Sequence, residues 1–163
     1  MQTADRLIRA LERTHSGKPW HGPSRGELLS DTTWEEAAWR PAAGAHTIWD
    51  LVLHMRSWTR EVSRRAKGGV PGVPEDGDWP AMPPPNAVAW KETLVSLNAA
   101  HAELAGTVRG MSEEALAAKV KDRPGAPASP AITVRSMVSS LAEHDIYHSG
   151  QAALLKRLAR SPR

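Results

Sequence analysis

His144 and His148 stand four residues apart, a spacing that stacks two imidazoles on one face of a helix. Rings so placed can turn their nitrogens toward a single cation, as in the helical H-x-x-x-H element of zinc proteases. Both fall in a longer repeat, Val134, Met137, Leu141, His144, His148, Gln151, Leu155 and Leu158. Alternating steps of three and four describe the seam of a helix that faces a bundle core. Two imidazoles and an amide in the middle of such a seam are costly unless each finds a partner. A lone core histidine is usually satisfied by a hydrogen bond; a stacked pair inside an apolar seam points to a divalent metal.

A third ligand must come from another helix, because no acidic residue follows Asp145 and the chain has no cysteine. Ile48, Leu51, Met55, Trp58 and Val62 form an apolar stripe, and His54 lies beside it, one turn from Leu51 and from Trp58. By phase it is the histidine best placed to complete a triad. Three neutral imidazoles leave coordination positions open, which is the pattern of a catalytic site. Asp145 occupies the position of the general-base Glu in H-E-x-x-H, but it is a methylene shorter and its direction diverges from that of its neighbour by about 100°. That assigns it to the surface or to support of a ligand rather than to catalysis.

The remaining polar candidates surround this triad. Gln151 can bond a bound water or substrate, or satisfy the second ring nitrogen of a ligand. His101 is in phase with Trp90, Leu94, Leu97, Leu104 and Val108, so it looks inward as a proton shuttle or a satisfied core residue rather than a ligand. Trp20 and His21 sit in a loop that could reach a pocket, and His46 stands at a helix cap; a surface role is the plainer reading for both histidines. His15 has no context that suggests a role. No residue is singled out as catalytic.

These side chains need four long helices to position them. The first is expected from about Thr3 to Thr14, ending before Ser16-Gly17-Lys18-Pro19. A short helix opens at Thr33 and Glu36, which have capping-box spacing, and closes before Pro41. The second long helix opens with Thr47 and Asp50 and runs to about Lys67, stopped by Gly68-Gly69. Residues 68–85 read as a Pro/Gly-rich loop, long enough that it should cover something or carry no fixed structure. The third helix spans about Asn86 to Arg109, with a turn capped by Ser112 after it. A second Pro-rich link, Arg123 to Pro130, leads to the last helix, Thr133 to Arg160. The expectation is one all-α domain over 1–163, a four-helix bundle with long Pro/Gly-rich connections.

Composition narrows the function classes. With 163 residues the chain can bury a core without staples, and the absence of cysteine removes thiolate sites and cysteine nucleophiles. No apolar run reaches membrane-spanning length and the N-terminus lacks a signal-peptide core, so a cytoplasmic protein is expected. The net charge of +3 comes from interleaved residues of both signs. The one basic excess, Lys156, Arg157, Arg160 and Arg163, is read as complementing the negative end of the last helix. No nucleic-acid reader motif accompanies it. Seven tryptophans against no phenylalanine either fill the core or line a cleft.

The segments HTIWDLVLHMRSW and EHDIYHSGQAALLKR, with WHGPS, DWP and AW between them, resemble the DinB/YfiT-like superfamily over nearly the whole chain. The resemblance implies a four-helix bundle, often a homodimer, with a three-histidine site for zinc, nickel or a similar cation at His54, His144 and His148. It further implies small-molecule chemistry with a low-molecular-weight thiol, as in bacillithiol S-transferases and mycothiol-dependent maleylpyruvate isomerases. Two readings follow: a metal-dependent thiol S-transferase or hydrolase, and a metal-binding or stress-associated protein of the same fold without turnover.

Overall fold

A computed structural model describes residues 2–20, 22–121 and 132–161. His21 and the link from Arg123 to Pro130 lie outside the described residues. The helices are α1 (Thr3–His15), α2 (Arg25–Ser30), α3 (Trp34–Ala38), α4 (Ile48–Ala66), α5 (Ala87–Arg109), α6 (Glu113–Ala117) and α7 (Val134–Arg160). No strand occurs among the described residues beyond an isolated bridge between Lys119 and Thr133. The all-α expectation holds, and among the described residues no helix is long and apolar enough to cross a membrane.

Local chemistry sets the helix starts. Thr33 with Glu36 and Thr47 with Asp50 each satisfy one another's backbone N–H groups, the reciprocal cap that the spacing predicts. Helix α4 stops at Gly68, whose φ of 90° suits glycine. Sequence reasoning missed α2. Its signal was present as Ser24 and Glu27, which form a full capping box, but Pro23 and Gly26 around it read as loop.

The four long helices α1, α4, α5 and α7 make the bundle. Helix α4 packs on α5 and α7, and α1 packs on the same two from the opposite side. The α4–α7 and α1–α5 seams therefore lie across the bundle from each other. Helices α2 and α3 lie across α7, held there by its C-terminal cations. Lys156 Nζ bonds the Leu28 carbonyl and Asp31, while Arg160 forks onto Glu36 and reaches Asp31. This corrects the reading of those charges as helix-end complements: Lys156 and Arg160 fasten one element to another. The seam of α7 also differs from the expected repeat. Leu158 is 45% exposed, whereas Ala152 and Lys156 are buried. A straight helix turns every 3.6 residues, so a 3.5-residue line drifts off the buried face over its length.

The core is two apolar blocks. One joins α1, α6, the N-terminal part of α7 and the C-terminal parts of α4 and α5, with Leu11, Leu104, Val108 and Val138 at its centre. The other joins α2, α3, the N-terminal parts of α4 and α5 and the C-terminal part of α7, around Trp49, Val52, Met55 and Leu97. Trp49 and Trp90 fill this second block with their rings tilted at 59°, their N–H groups donating to Thr93 and the Thr32 carbonyl. Between the blocks runs a layer of buried polar side chains. It contains His54, His101, Asp145, His148 and Arg25.

Candidate metal centre

At the α4–α7 seam, His54, His144 and His148 each present a ring nitrogen, all within 4.8 Å of one another. His54 comes from α4, and His144 and His148 come from successive turns of α7. His54 and His148 are buried and His144 is half-buried. The helical phase that singled out these three residues therefore brings them together.

What lies behind the rings fixes how they face. His54 Nδ1 donates to the Asp78 carbonyl at 2.6 Å, and His148 Nδ1 donates to Gln151 Oε1 at 2.6 Å. Of the two roles open to Gln151, the structure shows the satisfaction of a ring nitrogen. His144 Nδ1 lies 3.6 Å from Asp145 Oδ1, and neither atom has a hydrogen-bond partner. All three rings thus place Nδ1 toward an acceptor outside the cluster, which leaves Nε2 as the inward lone pair. The Nε2 atoms of His54 and His144 stand 3.0 Å apart. Two lone pairs repel at that distance unless a cation lies between them. Two nitrogens each about 2.1 Å from one ion would be separated by about 3.0 Å at a right angle and about 3.4 Å at a tetrahedral one. The donor set fits a divalent metal.

Electrostatics agrees. Burial pushes the pKa of His54 below its ordinary value, outweighing its bond to the Asp78 carbonyl, and burial does the same for His148. Both rings are kept neutral, which is the form that ligates.

Asp145 is not at the surface. It is buried and paired with the Arg25 guanidinium, also buried. Burial, the largest single influence, would raise its carboxyl pKa, but Arg25, His144 and His101 together offset that and hold it low. Asp145 is a carboxylate facing the back of His144, pinned from α2, and it offers no base to the Nε2 side.

The 68–85 loop does cover something. Asp76 bonds Arg56 and Arg60, the Gly77 carbonyl accepts from Ser57, and Asp78 accepts from the Trp58 indole. Near its start, Arg64 and Arg65 hold the Val70 and Gly72 carbonyls while both pair with buried Glu61. So fastened, the loop delivers the Asp78 carbonyl to His54 and lays Trp79 flat on the His54 ring, with centroids 3.9 Å apart. His46 stacks on Trp79 at 3.7 Å. Sequence reasoning did not place Trp79 or Asp78 at the site; the hints were the unusual length of the loop and the DWP element within it.

The other candidates lie elsewhere. Trp20 is 95% exposed, and His21 lies outside the described residues. His101 is buried, as its phase predicts, but it stacks on His15 at the α1–α5 seam. His15, which had no context in the sequence, accepts from Arg25 there.

Comparison with known proteins agrees with this architecture. A sequence profile of the DinB superfamily matches residues 26–152. The crystal structure of a DinB-like protein of Bacillus subtilis, YjoA, is similar in fold at a TM-score of 0.62 and 15% identity, covering 100% of this chain and 95% of that one. No curated protein matches the chain. With most of its length matched by the family profile and its helices laid out as in a DinB-like structure, the chain belongs to the DinB superfamily.

Proposed function

We propose that the chain binds a divalent cation, zinc or nickel, through His54, His144 and His148 and uses it to transfer a low-molecular-weight thiol to a small electrophile. The observation that carries the metal is the convergence of three ring nitrogens, one from each histidine, on rings that each have an acceptor behind them. Bound there, such a cation would act as a Lewis acid and lower the pKa of a thiol or water brought to it. The chain has no cysteine, so the thiol is a cosubstrate.

Thiol transfer is favoured over hydrolysis by the carboxylates. Hydrolysis calls for a general base within reach of the attacking water. Asp145 is locked to Arg25 behind His144, and Asp78 accepts from Trp58 on the Nδ1 side of His54. A thiol activated at the cation needs no such base. A second reading, metal binding without turnover, draws support from Trp79, which covers one face of His54.

Elemental analysis of purified wild type and His148→Ala tests the site. Metal should accompany the wild type and be absent from the variant, with the bundle retained because apolar blocks flank the layer. Equal metal content in both would end the assignment. Assays pairing low-molecular-weight thiols with electrophiles, with and without zinc, nickel or manganese, then separate the two readings. Metal retention without turnover of any pair selects the second.

A further inference from the structure

The layer that holds the triad reaches the opposite seam, where it ends in a second histidine pair that the proposed function does not use. His15, the last residue of α1, and His101, in the middle of α5, stack with centroids 3.9 Å apart and planes 22° from parallel. They lie in a groove of about 660 Å³ between the two helices, lined also by Arg9, Glu12, Arg13, Asn98 and Arg109. That volume is within the range of small-molecule sites, roughly 300–1,000 Å³.

The geometry excludes a cation here. The rings are face to face, so their nitrogens cannot converge as those of the triad do. His15 Nδ1 accepts from Arg25 Nη2 at 2.7 Å, so a guanidinium, itself paired with Asp145 on its other side, stands directly behind the pair. Because arginine only donates, neutral His15 carries its proton on Nε2. His101 is 7% exposed and makes no hydrogen bond to any described residue. Its ring nitrogens are not sealed off among the buried atoms without a partner, so the solvent of the groove reaches them. At the rim, Arg109 is paired with Glu12 at 3.7 Å, while Arg9 and Arg13 form no ion pair among the described residues. Donors at the floor and unneutralised guanidinium groups at the rim call for an acceptor with negative charge.

We propose that the α1–α5 groove is a binding site for a small oxyanion, a carboxylate or a phosphate. His15 and His101 donate from the floor and Arg9 and Arg13 from the rim. The site is separate from the triad, and the proposal stands whether or not the triad holds metal.

Imidazole NMR of protein labelled with ¹⁵N-histidine tests it. Zinc-saturated protein is titrated with succinate and, separately, with inorganic phosphate at constant ionic strength. The ring signals of His15 and His101 should move saturably, with a Kd of about 1 mM or tighter, while those of His54, His144 and His148 stay in place. Saturation by succinate alone identifies a carboxylate site, by phosphate alone a phosphate site, and by both a general oxyanion site. Arg13→Glu, at an exposed position, should weaken binding at least about tenfold, and Arg13→Lys should keep most of it. His101→Phe, which preserves the stack but removes the donor, should weaken it as well. Four results overturn the proposal: no saturable movement up to about 20 mM ligand, movement confined to the triad, equal shifts at every histidine, or unchanged affinity in Arg13→Glu.

Discussion

One polar layer carries two histidine clusters that have opposite characters. At the α4–α7 seam three rings turn their Nε2 atoms inward because a carbonyl, a carboxylate and an amide oxygen stand behind them. At the α1–α5 seam two rings lie flat on each other with a guanidinium behind one. The Arg25–Asp145 ion pair joins the two, its carboxylate serving the triad and its guanidinium serving the stack. The residue type does not decide between cation and anion. The sign of the group behind the ring does, since an acceptor there exposes a lone pair and a donor there exposes an N–H.

The sharpest way to break this comparison is to remove a ligand on one side only. His54→Ala should abolish metal retention, while His101→Phe should leave it at the wild-type level, both read by elemental analysis. Next in size is the link between the clusters. Arg25→Met leaves Asp145 as an uncompensated buried charge and should destabilise the fold by about 3–5 kcal/mol in urea denaturation. Adding Asp145→Leu to that variant should recover a large part of the loss. A smaller effect is expected at Gln151→Leu, which removes the acceptor behind His148 and should weaken zinc binding by about 10- to 100-fold in a competition titration. The same change should leave the oxyanion affinity of the groove untouched. Smallest, because solvent in the groove screens both rings, is a pH effect on the α1–α5 side. Burial first, then Arg25, lowers the pKa of His15 to about 3 and that of His101 to about 4. The unfolded chain takes up these protons near pH 6.5, so it binds more protons than the folded chain through the window below that. Stability must therefore fall as pH drops from 6.5 toward 4 and then 3. A His15→Gln, His101→Phe double variant should show a shallower fall in its urea midpoint between pH 7 and 4.5.

The triad was legible because helical phase is a local property. His144 and His148 follow from their spacing, and His54 from its place beside an apolar stripe. The four long helices were legible for the same reason, with their ends set by capping residues such as Thr47 and Asp50. What stayed hidden depends on pairs far apart in the chain. Asp145 stayed open between the surface and support of a ligand because its partner, Arg25, is 120 positions away on a helix that Pro23 and Gly26 concealed. His15 had no neighbour in sequence to give it meaning; its meaning comes from Arg25 and His101. Trp79 lies in a segment without periodicity, so nothing local could aim it at His54. Lys156 and Arg160 seemed to answer a helix dipole because Asp31 and Glu36 could not be brought to them without the tertiary fold.

Splitting the apolar interior into two blocks has a consequence for how the molecule opens. The block around α1 and α6 and the block around α2 and α3 share few apolar contacts across the polar layer, so each can loosen without first undoing the other. Backbone amides of the C-terminal part of α5, near Leu104 and Val108, should exchange with solvent deuterium at a rate distinct from those near Trp90 and Leu97, although all belong to one continuous helix. Filling the α4–α7 side of the layer with a cation would tie α4 to α7 across the join and draw the two rates together.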